Sequence, residues 1–203
     1  MIITFLGEQF IKMQAGDTVF ALNPITPDKG EKVTRFGADV AISTVNIDRY
    51  NGFDTVTYGD KEPLRVDGPG DYESDGVMIS GFGTAKPDED GKFHTVYSFA
   101  FDDIKVAYLG SIAGKELLSP EALEALADSD MVFVSVTDPD AHAFVTLLAA
   151  KAIIPIGYND MKDEALQEFL KESGATKNEV LEKLTIKRKD IESLKGHVFI
   201  LKV

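Results

Sequence analysis

From Met131 to Ile156 the chain reads MVFVSVTDPDAHAFVTLLAAKAIIPI, and this stretch decides the class of fold. Met131-Val132-Phe133-Val134-Ser135-Val136 is an apolar run of strand length, the pattern of a strand buried on both faces. Asp138-Pro139-Asp140 opens a predicted helix through Ala150, and Ala152-Ile153-Ile154-Pro155-Ile156 is the next buried strand. Upstream, Ser119-Pro120-Glu121 predicts a helix start, with serine as N-cap, proline at the first helical position and acid in the first turn. Leu123, Leu126 and Ala127 give that helix an apolar stripe. Downstream, Asp163 to Glu172 reads as a helix closing near Gly174, and Lys183 to Ile186 and His197 to Leu201 read as final strands.

The first half has a different texture. Met1 to Leu6 is an apolar strand, Gln9 to Met13 continues it, and Gly16-Asp17 turns the chain into Thr18 to Leu22. Asn23-Pro24 ends that strand, because proline lacks the N–H that a ladder needs. Asp39 to Val45 is a short buried strand. Short segments follow at Asp54 to Tyr58, Leu64 to Val66 and Val77 to Phe82, with turns at Asp67 to Tyr72 and Ser74-Asp75-Gly76. Pro87 to Gly91 is a loop tip, and Thr95 to Phe101 pairs with Ile104 to Leu109 about Asp102-Asp103. Strands first and β-α-β-α afterwards argue against a doubly wound sheet and for two packed sheets with helices outside.

The 203 residues suit a single α/β domain, residues 1–203, able to bury its own core. No apolar run approaches the roughly 20 residues that cross a bilayer, and the opening has no basic leader, so no signal peptide is expected. With no cysteine, disulfides and thiolate metal sites are excluded, and the cytoplasm is the expected location. The 21 basic and 34 acidic residues give a net charge of -13, a field that repels nucleic acid and anionic membrane. Lys183, Lys187, Arg188 and Lys189 cluster near the C-terminus and read as a solvated strand edge.

Several segments, in order along the chain, resemble the metallo-β-lactamase superfamily, in particular its small branch related to L-ascorbate-6-phosphate lactonase. They are Ile3-Thr4-Phe5-Leu6-Gly7-Glu8-Gln9-Phe10, Asp17-Thr18 through Asn23-Pro24, Asp39 to Arg49, Gly68-Pro69-Gly70-Asp71-Tyr72-Glu73, Tyr108-Leu109-Gly110-Ser111 and Ile154-Pro155-Ile156-Gly157-Tyr158. The resemblance implies an αββα sandwich, two mixed sheets with helices on the outer faces. It also implies a hydrolase whose histidines and carboxylates hold zinc, iron or manganese and generate hydroxide near neutral pH.

The residues at those ligand positions do not follow. The His-x-His pair falls on Thr44 and Asn46, and the Asp-His pair on Asp48 and Arg49. The histidine after the first Leu-Gly falls on Glu8, the later one before Leu-Gly on Tyr108, the bridging aspartate on Ser111 and the last histidine on Gly157. Only Asp48 keeps its ligand chemistry, and a guanidinium repels a dication. No metal or other cofactor is therefore expected.

His94, His142 and His197 show no ligand spacing and read as surface or partly satisfied histidines. Asp67, Asp71, Glu73 and Asp75 lack the calcium-loop pattern and read as solvated. Ser43, Ser111 and Ser135 have no nucleophile-elbow setting, and Gly81-Phe82-Gly83 lacks a dinucleotide fingerprint. Glu8, Asp48 and Arg49 either converge as an ion-paired cluster or leave Arg49 reaching into solvent; both readings stay open. The leading expectation is a non-catalytic scaffold, binding or homo-oligomer-forming protein with an unknown small-molecule ligand. One alternative is a hydrolase of an ester, lactone or phosphoester working from Asp48, Glu8 and Tyr108 with a carboxyl raised in an apolar cleft. Another is an anion sensor that grips its ligand with Arg49.

Overall fold

The computed structural model describes residues 1–112 and 114–203. Its first strands are β1 (Ile2–Phe5), β2 (Ile11–Ala15), β3 (Thr18–Leu22), β4 (Val40–Ile42) and β5 (Leu64–Val66). Then come β6 (Gly70–Ser74), β7 (Val77–Gly83), β8 (Thr95–Phe101) and β9 (Ile104–Tyr108). The second half alternates: α1 (Pro120–Leu126), β10 (Met131–Ser135), α2 (Ala141–Leu148), β11 (Ala152–Ile156) and α3 (Glu164–Glu172). Short elements close it: β12 (Val180–Leu181), β13 (Leu184–Thr185), α4 (Arg188–Ile191), β14 (His197–Val198) and β15 (Ile200–Leu201).

Two mixed sheets result. One has the order β13-β1-β2-β3-β4-β5, antiparallel through β3 and parallel beyond it. The other has the order β14-β11-β10-β9-β8-β7-β6, parallel from β14 to β9 and antiparallel from there to β6. Their inner faces share one apolar core, where Phe20 meets Phe99 and Phe101 from the opposite sheet. Every residue of β10 and β11 is buried, the continuous apolar signature of parallel strands covered on both faces. Pro155 is tolerated in β11 because alternate carbonyls there, of Lys151 and Ile153, face β14. The missing proline N–H points to that same side, beyond the end of β14 at Val198.

Turn chemistry fixes the hairpin registers. Gly16 alone carries a positive φ in the β2–β3 turn, while Asp102 and Asp103 both do between β8 and β9. These are the twist-matched two-residue connections that glycine and aspartate favour. Ser119 caps α1 by accepting from the Ala122 N–H (3.1 Å), and Asp163 caps α3 by accepting from Ala165 and Leu166.

Four expectations need correction. Asp67 to Tyr72 is not all turn: Gly70–Ser74 pairs with β7 as an edge strand with exposed, alternating acids. Asp54 to Tyr58 is not extended, since Phe53–Thr55 is a 3₁₀ turn. The α2 helix starts at Ala141 rather than Asp138, whose carboxylate instead accepts the Ile112 N–H (2.9 Å). The basic cluster is not a strand edge, because Arg188 begins α4 and reaches buried Asp130. The sandwich architecture holds. Helices α1 and α2 pack on the second sheet, and the outer side of the first is covered by 3₁₀ turns and the 23–39 loop over a second apolar cluster. No helix among the described residues is long and apolar enough to cross a membrane.

Asp130 ties the far end of the second sheet together. It accepts from Lys151 Nζ (2.8 Å), the Lys105 N–H (3.0 Å) and Arg188. Burial alone would raise its carboxyl, but these donors outweigh burial and hold it below the usual carboxylate range. A depressed folded pKa gives stability that is present above the unfolded value and lost as pH falls through the folded one. Asp130→Asn is expected to cost roughly 1.5–3 kcal/mol near neutral pH, as hydrogen bonds to charged groups do. In denaturant titrations from neutral pH to below about pH 4, the gap between variant and wild type should narrow.

Candidate functional site

The eight ligand-position residues lie where the β1–β2 turn, the end of β4, the end of β9 and the end of β11 come together. Glu8 is the junction. Its backbone has φ 51° and forms a bridge with Tyr158: the Glu8 N–H donates to the Tyr158 carbonyl (3.0 Å), and the Gly157 N–H donates to the Glu8 carbonyl. The first sheet is thereby stitched to the second at this end.

The Glu8 side chain meets Arg49. Arg49 Nε donates to both Glu8 oxygens (3.1 and 3.2 Å) and Nη2 to Glu8 Oε1. A residue that sequence reasoning missed completes the pair: Glu31 accepts from Nη1 (2.6 Å) and Nη2 (2.8 Å), while Nη1 also donates to the Thr26 carbonyl (3.0 Å). All five guanidinium N–H groups are thus engaged, which leaves none to grip an external anion. The Arg49 hydrogen bond, then the Asp28 N–H, draws the Glu31 carboxyl down to about 2. Glu31 and then Glu8 push the Arg49 guanidinium further upward. Burial, with the charge of Glu8 next, raises the adjacent Tyr50 phenol.

Of the two open readings of Arg49 the structure takes the ion-paired one, with a change of membership. Asp48 does not join; it is exposed and its carboxylate has no partner among the described residues. It stands in solvent, not in the apolar cleft that a raised general base requires. Asn46 is also exposed and accepts from Asn51 Nδ2 (2.9 Å). Ser111 is half-buried beside the undescribed position 113.

Inside the ion pair lies a neutral knot. Asn23, buried and at φ 45°, donates from Nδ2 to Gln9 Oε1 (2.8 Å) and Thr44 Oγ1 (2.9 Å), and its Oδ1 accepts the Thr44 N–H (2.8 Å). The Tyr108 hydroxyl donates to the Gln9 carbonyl (3.0 Å), and full burial holds this phenol well above its ordinary range. Tyr108 is sealed from solvent with its hydroxyl given to backbone, apart from the exposed Asp48. Gln9 and Asn23 were also missed as site residues. Asn23 stands in Asn23-Pro24, quoted above only as the end of a hairpin.

Gly157 closes the arrangement from β11. Its φ is 89°, and a Cβ built there would collide with Ser135 Oγ; one at Gly110, φ 61°, would collide with Thr44. A side chain at the position of the last histidine would first have to displace the Ser135 hydroxyl. The three histidines do not compensate. His94 is buried with Nε2 against Asp88 Oδ2 (2.7 Å) and Nδ1 without a hydrogen-bond partner among the described residues. His142 lines a polar cavity of about 320 Å³ between α2 and α3 with Glu168 and Glu172. His197 is exposed, edge-on to Phe199. Among the described residues no three His, Cys, Asp or Glu side chains group so as to hold a metal ion.

Residues 2–157 match the family described as the beta-lactamase superfamily domain, more than half of the chain, and the chain belongs to that family. Solved structures with the same fold include a metallo-beta-lactamase superfamily protein from Thermotoga maritima, 23% identical with a TM-score of 0.73, covering 100% of this chain and 98% of that one. An isothiocyanate hydrolase from Delia radicum gut bacteria is 11% identical with a TM-score of 0.64, covering 92% and 100%. A metallo hydrolase from the archaeon Ignicoccus hospitalis is 14% identical with a TM-score of 0.59, covering 92% and 99%. At these identities the likeness concerns the fold. No curated protein matches the chain. The metals that such hydrolases use fit this end of the sandwich poorly: alcohol, amide, phenol and guanidinium groups and a bare glycine stand at six of the ligand positions, and of the two carboxylates Glu8 is paired with Arg49 and Asp48 stands alone in solvent.

Gly157→Ala should destabilise the fold by roughly 2–4 kcal/mol, combining left-handed strain with the clash on Ser135. Adding Ser135→Ala should recover the steric part and leave about 1 kcal/mol of backbone strain. Chemical denaturation of the single and double variants checks this non-additivity.

Proposed function

We propose that this member of the beta-lactamase superfamily derives from the lactonase-like branch and keeps the sandwich without the di-metal hydrolysis. On this reading it is a pseudoenzyme, retained in the cytoplasm for binding, scaffolding or self-association. The observation that carries the reading is the fate of the ligand positions taken together. A catalytic metal needs neutral imidazoles or carboxylates converging on one point with a coordination position left for water. Here Thr44 is tied to Asn23, Tyr108 is tied to Gln9, and Arg49 carries a fixed positive charge between two glutamates. Gly157 has no side chain, and a Cβ there would meet the Ser135 hydroxyl.

A pocket that merely lost one histidine would leave a polar vacancy. This end of the molecule is instead packed with groups that satisfy one another, which supports replacement of the site over a single lesion. Of the exposed ligand-position side chains, Asn46 and Asp48, one is a carboxylate, and the partly exposed Glu8 is already paired with Arg49.

The test is calorimetric titration of metal-stripped protein with zinc, manganese and ferrous iron, followed by ester, lactone and phosphoester assays of each mixture. The expected result is weak, non-stoichiometric uptake with no turnover above buffer. About two ions per chain bound tightly with accompanying hydrolysis would overturn the reading.

A further inference from the structure

We infer that Arg49 now performs the cross-linking that a cation performs at this end of the sandwich, as the latch of a strap formed by residues 24–36. The inference rests on the reading above only in giving Arg49 the place of a metal. The latch itself stands on geometry. Arg49 joins three stretches of chain that are far apart in sequence: Glu8 in the β1–β2 turn, Thr26 and Glu31 in the strap, and its own 3₁₀ turn at Asp48–Tyr50. Through the Glu8 backbone the connection reaches Gly157 and Tyr158, and so the second sheet.

The strap has little else to hold its middle. Among the described residues, 27–35 make hydrogen bonds or ion pairs beyond their own segment to Arg49 alone, through Glu31 and, at 3.9 Å, Asp28. The strap's beginning is fastened by the Gly52 N–H to the Pro24 carbonyl (2.9 Å) and the Thr26 N–H to the Arg49 carbonyl (2.8 Å). Its end is fastened by the Phe36 N–H to the Thr55 carbonyl (3.3 Å) and the Ala38 N–H to the Val56 carbonyl (2.9 Å).

What the strap covers gives the latch a purpose. Ile25, Val33 and Phe36 lie on the second apolar cluster, with Phe36 stacked on Phe10 at 5.8 Å between ring centres. That cluster seals the outer side of the first sheet, and among the described residues none of its members comes from an α-helix. The requirement falls on arginine in particular. Two glutamates and a carbonyl approach from different directions, and one planar fork satisfies all three, whereas the lysine ammonium has three donors on a flexible stem. Glu8 and Arg49 are each 24% exposed and Glu31 34%, so the pair is shielded in part and should still respond to salt.

The experiment is hydrogen–deuterium exchange read segment by segment on the full chain. In Arg49→Met, amides of 24–36 should exchange roughly tenfold faster or more, while those of β10 and β11 keep their protection. Arg49→Lys should fall between this variant and wild type. Glu31→Gln, which removes one partner on the solvent side and leaves the interior intact, should loosen 27–35 alone and serves if Arg49→Met does not fold. In wild type, high salt should accelerate the same segment. Unchanged exchange of 24–36 in Glu31→Gln, or acceleration spread evenly over all strands, overturns the latch. Repeating the wild-type measurement with zinc separates the two proposals. Stoichiometric zinc with the variant effect still confined to the strap would remove the pseudoenzyme reading and leave the latch standing.

Discussion

The two sheets of this molecule are joined at one end by two backbone hydrogen bonds of Glu8, whose N–H donates to the Tyr158 carbonyl and whose carbonyl accepts the Gly157 N–H. Much of the local chemistry follows from that contact. The backbone is left-handed at Glu8 and at Gly157, and Gly157 lies so close to Ser135 that an added Cβ would collide with the serine hydroxyl. The contact also directs the Glu8 carboxylate to the rim, where a cation must meet it. The cation present is a guanidinium, and its remaining donors bring in Glu31 and Thr26.

Charges and neutral dipoles are sorted by depth. Arg49, Glu8 and Glu31 sit at the rim, where water lowers both the cost and the gain of an ion pair. Beneath them are amides, hydroxyls and a phenol, which can be buried because each finds a partner in Asn23, Gln9, Thr44 or Tyr108. A di-metal centre needs the reverse arrangement, with anionic and imidazole ligands converging in the interior. Asp130, at the other end of the second sheet, follows the usual pattern for a buried carboxylate, with its oxygens given to Lys151, Arg188 and a backbone N–H.

How much of this was legible in the chain differs by kind of signal. The hairpins and the β-α-β half could be read because glycine and aspartate turns and serine and aspartate caps act locally, and because β10 and β11 are apolar at nearly every position. The edge strand β6 was not legible. Its residues, Gly70 to Ser74, show no apolar alternation, and pairing with β7 is what extends them. The residues that stand at the ligand positions could be read one by one from Glu8 to Gly157, but the contacts among them could not. Glu31 lies in a polar loop 18 residues from Arg49, and only the folded chain brings them together. Asn23 looked like a strand terminator, and its role as the hub of a buried network depends on Gln9 and Thr44 arriving from neighbouring strands.

One end of this metallo-β-lactamase sandwich holds a guanidinium where related hydrolases would hold metal. Anomalous diffraction from crystals soaked in zinc or manganese reads that position directly. No anomalous peak is expected among Thr44, Asn46, Asp48, Tyr108 and Gly157, with the Arg49 guanidinium resolved between Glu8 and Glu31. A pair of anomalous peaks at ordinary ligand distances from protein atoms at that end of the sheets, with Arg49 turned out to solvent, would contradict that expectation.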